Sequence, residues 1–434
     1  MSFKLGIIAD DFTGAGDSAV QFRKNGDTPF LALQDWDSGI DLNAYDVLVV
    51  STESRFMLPR DAYESVLHAV KQCRRIGVRH FFKKIDSTIR GNVPEEIAAV
   101  MDAGEYDCAL VAPSAPRNGR TVVAGNCLVN GIPLGQDKEN SDPFTPVPFA
   151  SIPLLLERWF RENVQQIDLE TVRRGEAAFL NRLGELRNQG SRAVVADAVT
   201  LEDLRIISSA GRDPSVLLVG SSGLAESLTD TGSSIPVRTP ILSPGNILYV
   251  VGSLTETTRA QMDDLLESIP FASLCISIQN MLKNEEGELF RLLKEDAGSQ
   301  QDLPVLIRTF DVDGEYKKDI AFAMDLGITE KELGERVSQF LGKLVARIFS
   351  QRRIDAVFIA GGNTAAGVSK SLEVKGVELL DEILPGIPIG KFETPYADKP
   401  VYLISKAGGF GRKNAMTQVC KIVTGRQEER PERK

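Results

Sequence analysis

The sequence predicts an α/β protein of two domains, each a mainly parallel, doubly wound sheet flanked by helices, with the working site in the cleft between the domains. Three observations carry that expectation. Short apolar runs alternate with longer amphipathic stretches through both halves of the chain, which is the rhythm of βαβ units. Residues 229–246 are rich in Gly, Ser and Pro without periodicity and read as a linker. The apolar runs end in turns that carry Asp, Lys and Arg in the first half and glycine in the second, and in open sheets such strand tips hold ligands. The boundaries that follow are a first domain at residues 1–230, a linker at 231–246, a second domain at 247–426 and a charged tail at 427–434.

The elements can be justified in order. The run Leu-Gly-Ile-Ile-Ala at residues 5–9 reads as a buried strand, and residues 14–19 open a helix that carries Val20 and Phe22 inward. Asp10 and Asp11 therefore stand at the tip of the first strand. One acid suffices to cap the helix, so the second needs another role. Strands are expected at 28–33 and 46–51, then a helix at 59–76 with Pro59 in its first turn. A strand at 78–83, a helix starting near Pro94-Glu95-Glu96 and a strand at 109–112 continue the pattern. Residues 121–134 break it, because Asn130-Gly131 between short apolar pairs predicts a tight hairpin. The proline-rich stretch 137–153 reads as a long loop of functional interest. The rhythm resumes with a strand at 193–196, a helix around 201–210 and a strand at 216–219.

The second half repeats the alternation. Three strands are expected to run into glycine-rich turns: 247–251 into Gly252-Ser253-Leu254-Thr255, 354–360 into Gly361-Gly362-Asn363-Thr364, and 401–405 into Lys406-Ala407-Gly408-Gly409-Phe410-Gly411. Residues 329–349 have apolar side chains at helical spacing.

Composition narrows the function classes. Hydrophobic residues make up 42% of the 434 and charged residues 25%, the balance of a globular protein. No apolar run reaches bilayer-spanning length and the first residues lack a signal-peptide pattern, so no membrane partner and a cytoplasmic location are expected. A net charge of −10 argues against nucleic-acid binding, which rests on clustered Lys and Arg, but not against small anions. The five cysteines have no C-x-x-C spacing, which fits reduced thiols. His68 and His80, the two histidines, offer too little for a zinc site or a Ser-His-Asp triad. The chemistry is expected to rest on carboxylates, lysines and arginines.

The strand tips of the first half bring together Asp10-Asp11, Thr52-Glu53-Ser54-Arg55, Lys83-Lys84-Ile85-Asp86-Ser87-Thr88-Ile89-Arg90-Gly91-Asn92 and Arg117-Asn118-Gly119-Arg120. A small polyhydroxy acid needs a cation for its carboxylate and acids or amides for its hydroxyls, and this set holds both. The plainer alternatives are a surface salt bridge for Arg55 and an internal ion-pair network for Lys83, Lys84 and Asp86. In the second half the glycine turns offer backbone N–H groups and helix N-termini to an anion. There is no G-x-x-x-x-G-K-[ST] stretch, so this is not a P-loop.

Two other motifs compete. Gly14-x-Gly16-x-x-Ala19, with Asp35 as ribose partner, matches the dinucleotide fingerprint, although Asp10 and Asp11 would face the pyrophosphate with like charge. Gly14-Ala15-Gly16-Asp17 resembles the anion hole and base of ribokinase-like sugar kinases, but there the motif comes late in the chain.

As an ordered set these residues resemble the four-carbon acid-sugar kinases. That family is marked by A-D-D-x-T-G, K-x-x-D-S-T-x-R-G-N, N-G-R-T and C-terminal G-S, G-G and K-x-G-x-F-G turns. They match here at 9–14, 83–92, 118–121, 252–253, 361–362 and 406–411, nearly the full length of the chain. Residues 52–55 and 406–411 are closest to the D-threonate branch. The resemblance implies an N-terminal acid-sugar domain, with Asp11, Arg55, Lys83, Lys84 and Asp86 on the sugar acid. It also implies a C-terminal nucleotide domain, with Ser253, Gly361, Gly362, Asn363, Thr364 and Gly408 on ATP. The chain departs from the family pattern at Asn363, where an acid is frequent, and at Ala407 and Gly409, where Ser and Asn are frequent.

The implied reaction is ATP-dependent phosphorylation of the 4-hydroxyl of a four-carbon aldonate, D-threonate first, with D-erythronate or 3-oxo-tetronate as alternatives. Asp11 is the expected catalytic base, with Asp10 and Asp17 still open for that role. Mg²⁺ is expected with ATP, held by phosphates and water rather than by a dedicated ligand set. The sequence leaves the oligomeric state open and is compatible with a homo-oligomer. The rival readings are an NAD-dependent oxidoreductase built on residues 14–19 and a sugar-acid sensor without catalysis, the latter suggested by Asn363.

Overall fold

The computed structural model describes residues 4–33, 36, 40–135, 150–229, 240–300, 302–309 and 315–425. Asp35, most of the 137–153 loop, linker residues 231–239 and the tail 427–434 lie outside the described residues. The chain divides into two compact units, Met1–Ala32 with Asp41–Ile235 and Leu33–Ile40 with Pro236–Lys434. Within the second, the Leu33 N–H donates to Lys375 O at 2.9 Å.

In the first unit the chain runs β1 (Leu5–Ala9), α1 (Phe12–Lys24), β2 (Pro29–Ala32), β3 (Val47–Ser51), α2 (Pro59–Arg75), β4 (Phe81–Lys84), α3 (Val93–Gly104) and β5 (Cys108–Ala112). There follow β6 (Arg120–Val123), β7 (Asn126–Val129), β8 (Ile132–Pro133), α4 (Ile152–Phe160), β9 (Val164–Ile167), α5 (Leu169–Arg173), α6 (Glu176–Asn188), β10 (Ala193–Ala196), α7 (Leu201–Ser208), β11 (Val216–Gly220) and α8 (Ser222–Leu228). Eight strands form one sheet in the order β2-β3-β1-β4-β11-β5-β10-β9, and every pairing in it is parallel. Most of these strands are wholly buried, as expected where helices cover a parallel sheet. α1 packs on α8, and α2 packs on α3.

Local chemistry sets the helix starts. Asp11 caps α1 by accepting from the Gly14 N–H at 3.0 Å. Pro59 and Pro94 sit in the first turns of α2 and α3, where their missing N–H costs nothing. β6, β7 and β8 form a small antiparallel sheet apart from the large one, and Asn130 and Gly131 turn between β7 and β8 with φ of 50° and 83°. Those left-handed values are what the Asn-Gly signal requires.

The second unit contains β12 (Ile247–Val251), α9 (Glu256–Ser268), β13 (Ala272–Cys275), α10 (Ile278–Lys283), α11 (Glu285–Ala297), β14 (Val305–Arg308), α12 (Glu315–Asp325) and α13 (Glu330–Phe349). It continues with β15 (Ala356–Ala360), α14 (Gly362–Ser371), β16 (Gly376–Leu384), β17 (Ile387–Phe392), β18 (Val401–Lys406) and α15 (Ala415–Val423). Its strands run in the order β13-β14-β12-β15-β18-β17-β16. The first five are parallel, whereas β16 and β17 form an antiparallel hairpin against β18. The strands of this unit are thus mainly parallel, as expected, and the antiparallel hairpin is an addition that the sequence reading did not include. Gly386, with φ of 75°, makes the hairpin turn, and nothing between β17 and β18 is long enough to build a crossover helix. Tyr249, Val251, Met262, Leu265, Phe358, Ile389, Ile404 and Val419 belong to one buried core. α13 begins with a capping box between Thr329 and Glu332.

Candidate active site

In the first unit, β3, β1 and β4 lie side by side and in register, Ala9 opposite both Ser51 and Lys84. The residues just past those three positions therefore share one rim of the sheet. Because the chain passes from β3 over β1 to β4, this is also the point where strand order reverses, the usual position of a ligand crevice in such sheets.

Arg55 organises the rim. Its Nε donates to Asp10 Oδ2 at 2.8 Å, and its two terminal nitrogens take Asp11 Oδ2 and Oδ1, each at 2.8 Å. Asp11 also accepts from Thr13 Oγ1 at 2.8 Å and from the Gly14 N–H at 3.0 Å, so each of its oxygens has two partners. Asp10 Oδ1, by contrast, is buried with no hydrogen-bond partner. Burial would push Asp10 up, but Arg55, then Lys83 and Lys84, hold its carboxyl below the usual range. Burial would likewise lower Arg55, yet Asp10, Asp11 and Asp86 keep it well above its ordinary value.

Below the rim runs a second network. Lys83 is 0% exposed and its Nζ lies 2.7 Å from Glu96 Oε2, itself on a residue 1% exposed. The same Nζ donates to Lys84 O at 2.9 Å and to Ile8 O at 3.3 Å. Ser54 Oγ donates to Glu96 Oε1 at 2.7 Å and stands 2.7 Å from Thr52 Oγ1, which donates to Ala9 O. Burial pushes the Glu96 carboxyl up despite Lys83. Lys84 is buried too, but it makes a single hydrogen bond, to Ile85 O at 2.9 Å. A Cβ on Gly14 would stand 2.7 Å from the Lys84 ammonium, so the glycine makes room for that charge.

Two acids complete the rim. Asp86 accepts from Arg90 Nε at 2.8 Å, from the other end of the same fork at 3.0 Å, and from the Thr88 hydroxyl. Burial opposes its ionisation, but Arg90 and Arg55 hold it well below the ordinary carboxylate value. Glu53 takes the left-handed conformation, φ 50°, and accepts from the Ser51 hydroxyl. Burial pushes it up to about 7, against the pull of that hydroxyl and of Arg55, with Asp11 and Asp10 adding to the rise.

In the second unit β12, β15 and β18 are adjacent, with Val251 opposite Ala360 and Ala360 opposite Lys406. Their three glycine turns are therefore neighbours at one edge. Close approach dictates the glycines: a Cβ on Gly252 would meet Thr364 Oγ1 at 2.1 Å, and one on Gly408 would meet Ser253 Oγ at 2.3 Å. Gly361, φ 115°, caps α14 without a side-chain bond, leaving the first N–H groups of that ten-residue helix to other acceptors. Thr258 Oγ1 ties two of the turns together, 2.8 Å from Gly408 O and 3.1 Å from Ser253 Oγ. Lys406 is buried and donates to Ala407 O, Gly408 O and Phe410 O at 2.7, 2.9 and 2.9 Å. Burial lowers it to about 7. Backbone amides at a helix N-terminus, in a cradle a single methyl would fill, fit a polyphosphate.

The sequence-derived residues thus fall into two groups. Asp11, Arg55, Lys83, Lys84 and Asp86 cluster in the first unit, and Ser253, Gly361, Gly362, Asn363, Thr364 and Gly408 cluster in the second. Lys83 is enclosed by its partners, and Asn363 is exposed with its carbonyl bonded to Ser338 Oγ at 2.6 Å. Asp17 lies in the second turn of α1. Sequence reading did not anticipate Glu96, Thr13, Thr258 or the role of Lys406 within its own turn. The Gly14 N–H, which a dinucleotide phosphate would need, is already held by Asp11.

Residues 5–228 match the family model described as a sugar-binding N-terminal domain, and residues 248–416 match the one described as a nucleotide-binding C-terminal domain. A D-threonate kinase of Salmonella typhimurium is 34% identical over 95% of this chain and 96% of its own. The chain belongs to the four-carbon acid-sugar kinase family. A D-erythronate kinase of Heliobacterium modesticaldum is 30% identical over 94% of each chain, and a 3-oxo-tetronate kinase of Cupriavidus necator 31% over 97% of each. Among solved structures, a Salmonella typhimurium LT2 protein superposes with a TM-score of 0.78 at 26% identity, over 96% of this chain and 98% of that one. As a member of this family the protein is an ATP-dependent phosphotransferase acting on four-carbon acid sugars. Among the described residues no helix is long and apolar enough to cross a membrane.

Proposed function

We propose that this kinase transfers the γ-phosphoryl group of ATP to the 4-hydroxyl of D-threonate. The observation that carries the reading is the Arg55 fork across Asp11, a carboxylate held in one orientation at the switch point of a parallel sheet and hydrogen-bonded to a hydroxyl, Thr13. A substrate hydroxyl can replace that of Thr13 like for like. Asp11 then orients the attacking oxygen and takes its proton, while Arg55 keeps the carboxylate aimed. Lys84, with two ammonium protons to spare, supplies positive charge at the rim, and Lys83 acts through Glu96 and the backbone. Asp86, fixed by Arg90 and Thr88, is the acceptor for a second substrate hydroxyl.

For ATP the reading assigns the amides at Gly361, Gly362, Asn363 and Thr364, with Ser253 and Gly408 beside them. Bound Mg²⁺ would neutralise phosphate charge, carried on the phosphates and water. In-line transfer requires the attacking oxygen within about 3.5 Å of phosphorus, so the acid and ATP must be bound at the same time. The 34% identity to a D-threonate kinase supports threonate over erythronate and the 3-oxo acid.

The test is ADP release measured with D- and L-threonate, D- and L-erythronate and the 3-oxo analogue. D-threonate should give the highest kcat/KM, and phosphorus-coupled NMR should place the ester on C4. A higher kcat/KM with another of the five, or an ester elsewhere, overturns the assignment.

A further inference from the structure

The cations near the rim are mostly spent. Arg55 serves Asp10 and Asp11, Lys83 serves Glu96, Arg90 serves Asp86, and Arg117 reaches Glu226 at 2.7 Å. Besides Lys84, that leaves Arg120 of the Asn-Gly-Arg-Thr segment. No carboxylate among the described residues lies within ion-pair distance of Arg120. Its Nε is buried without a hydrogen-bond partner, and one terminal nitrogen donates only to Asn118 O, two residues back. Native chains rarely bury a guanidinium donor with no acceptor unless something outside the chain supplies one.

The direction of the side chain follows from the strand pairing. Arg120 opens β6 opposite Val129, and Val122 lies opposite Cys127, so these four share one face of the small sheet. That face is the covered one, since Val122, Cys127 and Val129 are buried while Val123 on the other face is exposed. Cys127 Sγ donates to Ser87 O at 3.3 Å, which sets the face against the loop that follows β4 and carries Asp86. The Cys127 thiol, pushed up by burial to about 12, feels the charges of both Asp86 and Arg120. The backbone is fixed as well: Ala115 and Arg120 exchange N–H···O bonds at 2.9 and 3.1 Å, and the Asn130 N–H donates to Gly119 O at 2.7 Å. Arg120 is therefore a guanidinium with spare donors, mounted on a rigid strand beside the Asp86 loop.

We infer that Arg120 is the anchor for the substrate carboxylate, its planar fork accepting the acid end of the four-carbon chain. A guanidinium suits that task because it matches both carboxylate oxygens at once and stays charged at any working pH. The inference rests on the kinase reading and deepens it: the residue that makes the enzyme select acids over neutral polyols sits on the small antiparallel sheet, outside the family of strand tips around β1.

The experiment compares wild type, Arg120→Gln and Arg120→Lys in the ADP-release assay, with D-threonate and with its neutral amide, alongside the KM for ATP and the melting temperature. Loss of a bidentate charged contact should raise the KM for threonate about 10- to 100-fold. The KM for ATP and the melting temperature should hold, the preference for acid over amide should shrink, and Arg120→Lys should recover part of the loss. A threonate KM within about twofold of wild type, or one that rises together with the ATP KM as the fold loosens, overturns the inference. Wild type that consumes no four-carbon acid defeats the kinase reading itself, and that failure is seen before any variant is made.

Discussion

Arg55 grips Asp11 through both terminal nitrogens at 2.8 Å, and Asp11 in turn caps the helix that follows it. The two jobs separate by chemistry. Asn caps a helix as well as Asp, but it cannot take a proton. Asp11→Asn should therefore leave α1 in place and lower kcat about 100-fold or more, with modest change in KM. Steady-state kinetics with D-threonate and ATP check this, and near-normal turnover would transfer the role of base to Asp10 or Glu53.

Removing Arg55 has a different signature. Asp10 and Asp11 would lose the guanidinium that pairs with both, and breaking a buried pair of this kind typically costs about 3–5 kcal/mol. Arg55→Ala should thus lower the urea midpoint sharply as well as raise the KM for the acid. Arg55→Lys retains a charge but not the fork, so most of the stability should return while the KM for threonate stays high. ATP affinity should not change in either variant that folds, as isothermal titration with ATP would read.

Glu53 supplies a pH marker. With its carboxyl held near 7, the folded state keeps a proton that the unfolded chain releases above about 4.5. Stability from this group is present below pH 4.5, falls as pH rises from there to about 7, and then levels off. Glu53→Gln should flatten that slope in urea titrations run from pH 5 to 8. A slope equal to that of wild type would place the titration on another group.

The buried Lys83–Glu96 pair is testable by a cycle. Glu96→Ala leaves a fully buried ammonium without its anion and should cost about 3–5 kcal/mol. Replacing both, Lys83→Met with Glu96→Leu, should recover much of that loss, because paired removal strands no charge. Denaturant unfolding of the three variants measures the coupling.

Much of this was legible in the chain because it is local. Parallel strands buried on both faces are near-continuous apolar runs, and the turns that follow them stand out as Asp-Asp, Thr-Glu-Ser-Arg or Gly-Gly. The Asn130-Gly131 turn and the Pro59 and Pro94 helix starts were readable for the same reason. What stayed hidden is which charges pair. Glu96 reads as an ordinary first-turn acid of α3, and nothing in its neighbours says that it neutralises Lys83. Asp10 and Asp11 look interchangeable in sequence, yet the first has an oxygen with no hydrogen-bond partner and both oxygens of the second are held. The β16–β17 hairpin was missed because β16 alternates and is only partly buried, a weaker signal than the near-continuous apolar runs of the parallel strands, and Pro388 and Gly390 interrupt β17.

Lys406 joins sequence to nucleotide affinity. As an ammonium it has three donors for the three carbonyls of its own turn, Ala407, Gly408 and Phe410, and so holds the cradle shut. Burial brings it down to about 7, and above that pH the neutral amine has only two donors. The KM for ATP should rise as pH is taken from 6 to 8, and Lys406→Met should show a raised KM, about 10-fold, without that rise. Stability should move the other way. Between about 7 and the ordinary lysine value the unfolded chain binds the extra proton, so this group's contribution rises with pH across that window. A buried lysine that merely filled space would give the stability slope alone, so the ATP titration decides whether the turn depends on its charge.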